Sequence, residues 1–233
     1  MPWLTEIKDA VLHLAFPHVC EGCGSDALDR THMLCLRCYE LLPLTYFQNH
    51  KDNPVEKMFW GRLNIAQASA QYYFTKESLM QRLMHQFKYR GNKELGIYLG
   101  KQMGKALISS GRFDDIDVLL PIPLFKAKEK KRGFNQATIL CDGMSEIWNK
   151  PVLKNTIVRS EHTESQTRKN RIERWQNIEG RFLVQQAEDI KCKQVLLVDD
   201  VVTTGATLEA CGRALSHVEN IRISFATLCI STH

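Results

Sequence analysis

Apolar residues along the chain fall into strand-length runs and helical stripes. Val118-Leu119-Leu120-Pro121-Ile122-Pro123 is a continuous apolar run with acids before it and prolines within it, which predicts a buried strand stopping at Pro121. Residues 194–198 form a second such run, and residues 68–74 and 221–230 also suit strands, with weaker strands over 153–158 and 182–185. Helical spacing covers residues 76–89, 95–109, 136–148 and 207–216, with a turn at Tyr89-Arg90-Gly91-Asn92. Strand and helix alternation of this kind predicts an α/β fold: a parallel, doubly wound sheet with helices on both faces.

The beginning of the chain reads differently. Trp3, Leu4, Ile7, Val11 and Leu14 recur at helical spacing, but Glu6, Lys8 and Asp9 interrupt them, which predicts an amphipathic packing helix ended before Pro17 and not a secretory signal. No stretch approaches the roughly 18 apolar residues of a membrane span, so a soluble, cytoplasmic protein is expected. In a reducing compartment the eight cysteines are better explained by thiols or metal than by disulfides. Cys20-Glu21-Gly22-Cys23 and Cys35-Leu36-Arg37-Cys38 are paired in the manner of a tetrahedral all-cysteine site, so Cys20, Cys23, Cys35 and Cys38 are the expected ligands of a structural Zn²⁺. Cys141, Cys192, Cys211 and Cys229 lack such spacing and read as buried apolar thiols. With 233 residues, 44% of them hydrophobic, the chain divides into a helix-and-zinc module over 1–60 and a larger α/β domain over 61–233.

Charge adds direction. The excess of 31 Lys and Arg over 26 Asp and Glu, +5, is too small by itself to indicate nucleic acid. It is concentrated, however, in one cluster from Lys126 through Lys128, Lys130 and Lys131 to Arg132, and in another formed by Arg168, Lys169, Arg171, Arg174 and Arg181. Between them in function stands an acidic strand end, Val198-Asp199-Asp200-Val201-Val202-Thr203-Thr204-Gly205-Ala206-Thr207. Asp199 and Asp200 fall at the carboxyl edge of the predicted sheet, where open α/β folds bind ligands, and they point to opposite sides if strand geometry persists. Thr203, Thr204, Gly205, Ala206 and Thr207 then supply backbone amides, hydroxyls and a residue free to take positive φ, just before a helix. This is a phosphate cradle, and it is not a Walker A loop, because no Gly-Lys-Ser or Gly-Lys-Thr occurs there. A phosphate for the turn, together with a diol or a metal for the acids, matches 5-phosphoribosyl-1-pyrophosphate (PRPP) with Mg²⁺. A capped helix beside solvated acids is the plainer reading of any one of these residues, though not of the whole run.

At these residues the sequence resembles the type I phosphoribosyltransferases, and more narrowly the ComF family of phosphoribosyltransferase-like proteins with an N-terminal cysteine module, associated with late competence and DNA uptake. The resemblance extends to the cysteine pairs, to Phe87-Lys88-Tyr89-Arg90-Gly91, to Pro121-Ile122-Pro123-Leu124 with Arg132-Gly133-Phe134-Asn135-Gln136, and to Gln166-Thr167 with Arg174 and Asn177. It implies a phosphoribosyltransferase-like parallel sheet. It further implies a pyrophosphate-contacting loop after Pro123, with Lys126 and Arg132 binding PRPP, and a hood over 159–179 carrying Gln166, Arg168, Arg171 and Arg174. Val201 joins the PRPP-binding run. In a transfer reaction Asp199 and Asp200 would be the catalytic pair, orienting the ribose while its anomeric carbon gains positive character. Three functional classes follow: a phosphoribosyltransferase with an open acceptor, a non-catalytic PRPP-responsive accessory to DNA uptake, and a zinc-centred module binding single-stranded DNA or a partner.

Overall fold

The computed structural model describes residues 18–26, 28–29, 31–159 and 182–231. Four parallel strands form its main sheet: β1 (Gln67–Phe74), β2 (Val118–Pro121), β5 (Gln194–Val202) and β6 (Arg222–Ser231), in the order β1-β6-β5-β2. A separate antiparallel pair joins β3 (Ile157–Arg159) to β4 (Phe182–Val184). The helices are α1 (Leu36–Glu40), α2 (Pro54–Lys57), α3 (Leu79–Tyr89), α4 (Lys93–Ser110), α5 (Lys126–Arg132), α6 (Gln136–Trp148) and α7 (Ala206–Leu215).

Side-chain alternation along β5 divides the core in two. Leu196 and Val198 pack with Leu119, Ala226 and Leu228 under α3, α4 and α6, and this cluster also takes in Cys20, Leu34, Cys35 and Cys38. Val195 and Leu197 pack on the opposite face with Val118, Leu120, Ile223 and Phe225, beneath Leu208, Cys211 and Leu215 of α7 and beside Phe47, Val55 and Phe59. Helices therefore cover both faces, as the sequence pattern predicts. The outer edge of β1 is shielded in part by the chain at residues 43–45, where Tyr73 donates to the Pro43 carbonyl and Thr45 to that of Gln71.

Several boundaries differ from expectation for local reasons. α3 begins at Leu79, not at residue 76, because Ser78 accepts from the Gln81 N–H as an N-cap. β5 continues through the acids to Val202 because β6 stays in register beside it, with Asp199 opposite Thr227 and Val202 opposite Ile230. The basic stretch 126–132, expected as a loop, is a short helix of good helix formers closed by Gly133 at φ 80°. The expected strand over 153–158 is split. Leu153 donates to the Leu119 carbonyl beside β2, and only Ile157–Arg159 pairs as a strand, with β4. Cys141, Cys211 and Cys229 are buried thiols as expected, but Cys192 is exposed in a turn, at φ 57°. The predicted N-terminal helix and the hood lie outside the described residues, apart from Arg159 at the start of the hood. Among the described residues no helix is long and apolar enough to cross a membrane.

The tightest helix crossing is that of α4 on α6. An ideal Cβ on Gly100 would stand 2.3 Å from the Leu140 carbonyl oxygen, and one on Gly143 would stand 2.3 Å from that of Ile97. The two backbones touch, and no side-chain movement relieves a methyl inserted there. Gly143→Ala is therefore expected to destabilise the fold by about 3 kcal/mol, read as a lower denaturant midpoint at unchanged slope.

Candidate functional site

β5 delivers the two carboxylates to the carboxyl edge of the sheet, and their surroundings differ. Asp200 Oδ2 pairs with Lys88 Nζ at 2.8 Å, and both side chains are largely buried. Lys88 comes from the last turn of α3, above one face of the sheet. Asp199 takes the Asp200 backbone N–H on Oδ1 at 2.8 Å. Burial, followed by the charge of Asp200, raises its carboxyl to about 7, against the opposing pull of that N–H and of Lys88 and Arg159. The pair thus holds one carboxylate with a fixed cationic partner and one that resists ionisation until something supplies positive charge or hydrogen bonds.

Immediately beyond, the chain turns through Thr203, Thr204 and Gly205 into α7, and a small cavity of about 50 Å³ is lined by Asp199, by Val201 and by the turn as far as Leu208. Gly205 sits at φ 76° with its Cα against Phe59, so that an added Cβ would come within 3.1 Å of that ring. Left-handed backbone and close packing both require glycine there. The turn is also braced from outside. Arg62 donates to the Thr204 carbonyl at 3.3 Å and to that of Met58 at 3.0 Å, and it forms an ion pair with Glu209 in the first turn of α7. Thr203, Thr204 and Ala206 remain exposed, leaving this end of the helix open to an anion.

The basic cluster leaves the same edge, since Pro121 at the end of β2 lies opposite Val198 of β5. Asn135 donates to the Ile122 carbonyl at 2.9 Å and, as N-cap of α6, accepts from Ala137. Arg132 is held by Gln136 Oε1 at 2.7 Å and lies over the Tyr89 ring, 5.6 Å from its centre. Lys126 is exposed at the start of α5. The structure therefore brings Asp199, Asp200, Val201, Thr203, Thr204, Gly205, Ala206 and Thr207 into one strand-turn-helix unit, with α5 rising from the neighbouring strand. Gln166, Arg168, Arg171 and Arg174 lie outside the described residues.

Lys88 and Arg62 are not foreseen as part of this edge, and Arg159, expected only as the first residue of the hood, also reaches it. The guanidinium of Arg159 stacks 3.5 Å from the centre of the Phe125 ring and 5.1 Å from that of Phe182. Lys88 is visible in the sequence only as a member of Phe87-Lys88-Tyr89-Arg90-Gly91. Arg62 carries no local signal, because its partners Thr204 and Glu209 are more than 140 positions away along the chain.

The four cysteine sulfurs of the first module converge, all lying within 4.8 Å of one another, with Cys23 Sγ and Cys35 Sγ at 3.7 Å. Four thiolates around one ion at ~2.3 Å define a tetrahedron with edges of about 3.8 Å, so the cluster can hold a metal and is consistent with zinc. Gly22 and Cys35 donate backbone N–H groups to Cys20 Sγ at 3.4 and 3.2 Å. Burial opposes ionisation of Cys20, but the N–H groups of Cys35, Cys23 and Gly22 outweigh it and lower the thiol to about 6. Burial and the neighbouring thiols of Cys23, Cys20 and Cys35 push Cys38 well above its ordinary value. The knuckle docks on α3, where Arg82 donates to the Gly22 carbonyl at 3.2 Å and Gln86 to that of Glu21 at 2.5 Å.

Comparison with known proteins agrees with this layout. The phosphoribosyl transferase domain matches residues 130–232, which include α6, β5, the acid pair, the turn and α7. Competence protein F of Haemophilus influenzae is 27% identical over 219 residues, 91% of each chain. Competence protein ComFC of Bacillus subtilis is 30% identical over 142 residues, 61% of this chain and 55% of the relative. The DNA utilization protein YhgH of Escherichia coli O157:H7 is 26% identical over 193 residues, 82% of this chain and 74% of the relative. The chain thus combines a parallel sheet covered on both faces with a phosphoribosyl transferase domain and a four-cysteine cluster, and over most of its length it is similar to competence and DNA utilization proteins.

Proposed function

We propose that the protein binds PRPP with Mg²⁺ at the end of β5, and that it does so in the service of DNA uptake. One observation carries the reading: a half-buried carboxylate pair runs without a break into a glycine turn that opens a helix, at the carboxyl edge of a parallel sheet. The turn formed by Thr203, Thr204, Gly205, Ala206 and Thr207 would hold the 5-phosphate through its amides and hydroxyls. Asp199 and Asp200 would take the ribose hydroxyls. Lys126 and Arg132 on α5 would meet the magnesium-bound pyrophosphate, with Arg132 suited to a bidentate grip. In a transfer reaction the same two carboxylates would steady the positive charge that develops on the sugar as pyrophosphate leaves. The link to DNA uptake rests on the competence and DNA utilization relatives.

We also assign Zn²⁺ to Cys20, Cys23, Cys35 and Cys38, in a structural role, since four cysteines close the coordination shell. Four cysteines grouped for a metal and four further thiols suit a reducing, cytoplasmic setting.

Calorimetric titration of the protein with PRPP and Mg²⁺ tests the first assignment. Wild type should bind, and the double variant Asp199→Asn with Asp200→Asn should not; failure of wild type to bind would remove the proposal. Release of pyrophosphate only when a base or amine acceptor is added would mark the protein as a transferase, and binding without release would mark it as a PRPP-responsive accessory.

The raised carboxyl of Asp199 has a sign that can be checked. The folded protein binds this proton more tightly than the unfolded chain does, so the associated stability is fully present below about pH 4 and is lost as pH rises through about 7. Asp199→Asn should therefore raise the thermal midpoint at pH 8, by about 2 kcal/mol or roughly 4–8 °C, with the gain vanishing towards pH 4, while ligand affinity falls.

Metal analysis should find one zinc per chain. Cys38→Ser should lose the metal and lower stability by about 3 kcal/mol, since ion binding supplies part of the module's folding energy.

A further inference from the structure

We propose that Lys88 is a positioning residue of the ligand site: it acts through Asp200, which it holds in place at the sugar end. This rests on the reading of that edge as a PRPP site and names a residue which that reading does not use. Lysine side chains on a protein surface ordinarily sample many rotamers, and an exposed ion pair contributes little. Lys88 is different, because its side chain is only 17% exposed, its ammonium lies 2.8 Å from Asp200 Oδ2, and it issues from a helix that cannot slide.

Three sets of contacts fix α3. The cysteine knuckle holds it at Arg82 and Gln86. Its apolar face is buried through Met80, Leu83, Met84 and Phe87. Its last turn meets the segment that follows α5, with Phe87 and Phe134 ring centres 5.7 Å apart and Arg132 over Tyr89. Successive residues of one turn therefore reach the two ends of the site, Lys88 the acid pair and Tyr89 the basic helix. Together they set the separation at which a ligand with a diol at one end and a pyrophosphate at the other must fit. Without Lys88, Asp200 keeps its enclosed position but loses the cation that holds it, next to a second buried carboxyl.

The test is a calorimetric cycle with PRPP and Mg²⁺ on wild type, Lys88→Met, Asp200→Asn and the double variant, with Lys88→Arg added. Circular dichroism on each variant confirms the fold; if Lys88→Met does not fold, Lys88→Gln takes its place. The expected result is an affinity loss of about tenfold for Lys88→Met, substantial recovery in Lys88→Arg, and less than about a twofold further loss when Lys88→Met is added to Asp200→Asn. Undiminished binding by Lys88→Met overturns the proposal and leaves the PRPP reading standing. So does an equal loss in both backgrounds, which would show Lys88 acting independently of Asp200. Absence of binding by wild type removes the PRPP reading, and this proposal with it.

Discussion

The site depends on an electrostatic constraint: two adjacent carboxylates stand at the end of a strand hydrogen-bonded on both sides and buried on both faces. Such a position is costly for charge, and the structure answers it unequally. Asp200 has Lys88, whereas Asp199 has one backbone N–H and the more distant fields of Lys88 and Arg159, and its carboxyl rises to about 7. A pair so arranged is poorly satisfied in isolation and would be better satisfied by added hydroxyl donors, as the proposed sugar site requires.

That constraint reaches back to the cysteine module. Lys88 can serve Asp200 only if α3 is held at a fixed height above the sheet, and the Cys20–Cys23 knuckle supplies two of the hydrogen bonds that hold it. Cys20, Cys35 and Cys38 are part of the same buried cluster as Leu196 and Val198 of β5. The module therefore shares a core with the sheet, and folding of the knuckle and placement of the acid pair belong to one packed body.

How much of this can be read from the chain follows from the range of each interaction. β5, its acids and its glycine turn are contiguous in sequence, so their chemistry is legible from the residues alone, as are the Cys-x-x-Cys pairs. α6 is legible to the residue because Asn135 caps it locally. Lys88 and Asp200, 112 positions apart, meet only when α3 crosses the sheet, and the periodicity that identifies the helix says nothing of which cation faces which acid. The extension of β5 to Val202 is hidden for a similar reason. Asp199 and Asp200 carry weak strand propensity and interrupt the apolar run, and pairing with β6 keeps them extended. The helix at 126–132 escapes detection because, with no buried residue, it has no apolar stripe to betray it.

The turn from Thr203 to Thr207 shows why long-range bracing bears on the proposed function. Backbone amides attract an anion only if they point at it together, and a turn containing glycine is free to point elsewhere. Here Phe59 packs against Gly205, Arg62 ties the Thr204 carbonyl to Met58, and Glu209 on α7 takes Arg62 and Arg213 together. Among the described residues this bracing comes from residues 58–62 and from the helix itself, and it leaves Thr203, Thr204 and Ala206 exposed. The orientation of the amides is thereby fixed during folding, so less ordering would be required of them to bind the proposed phosphate.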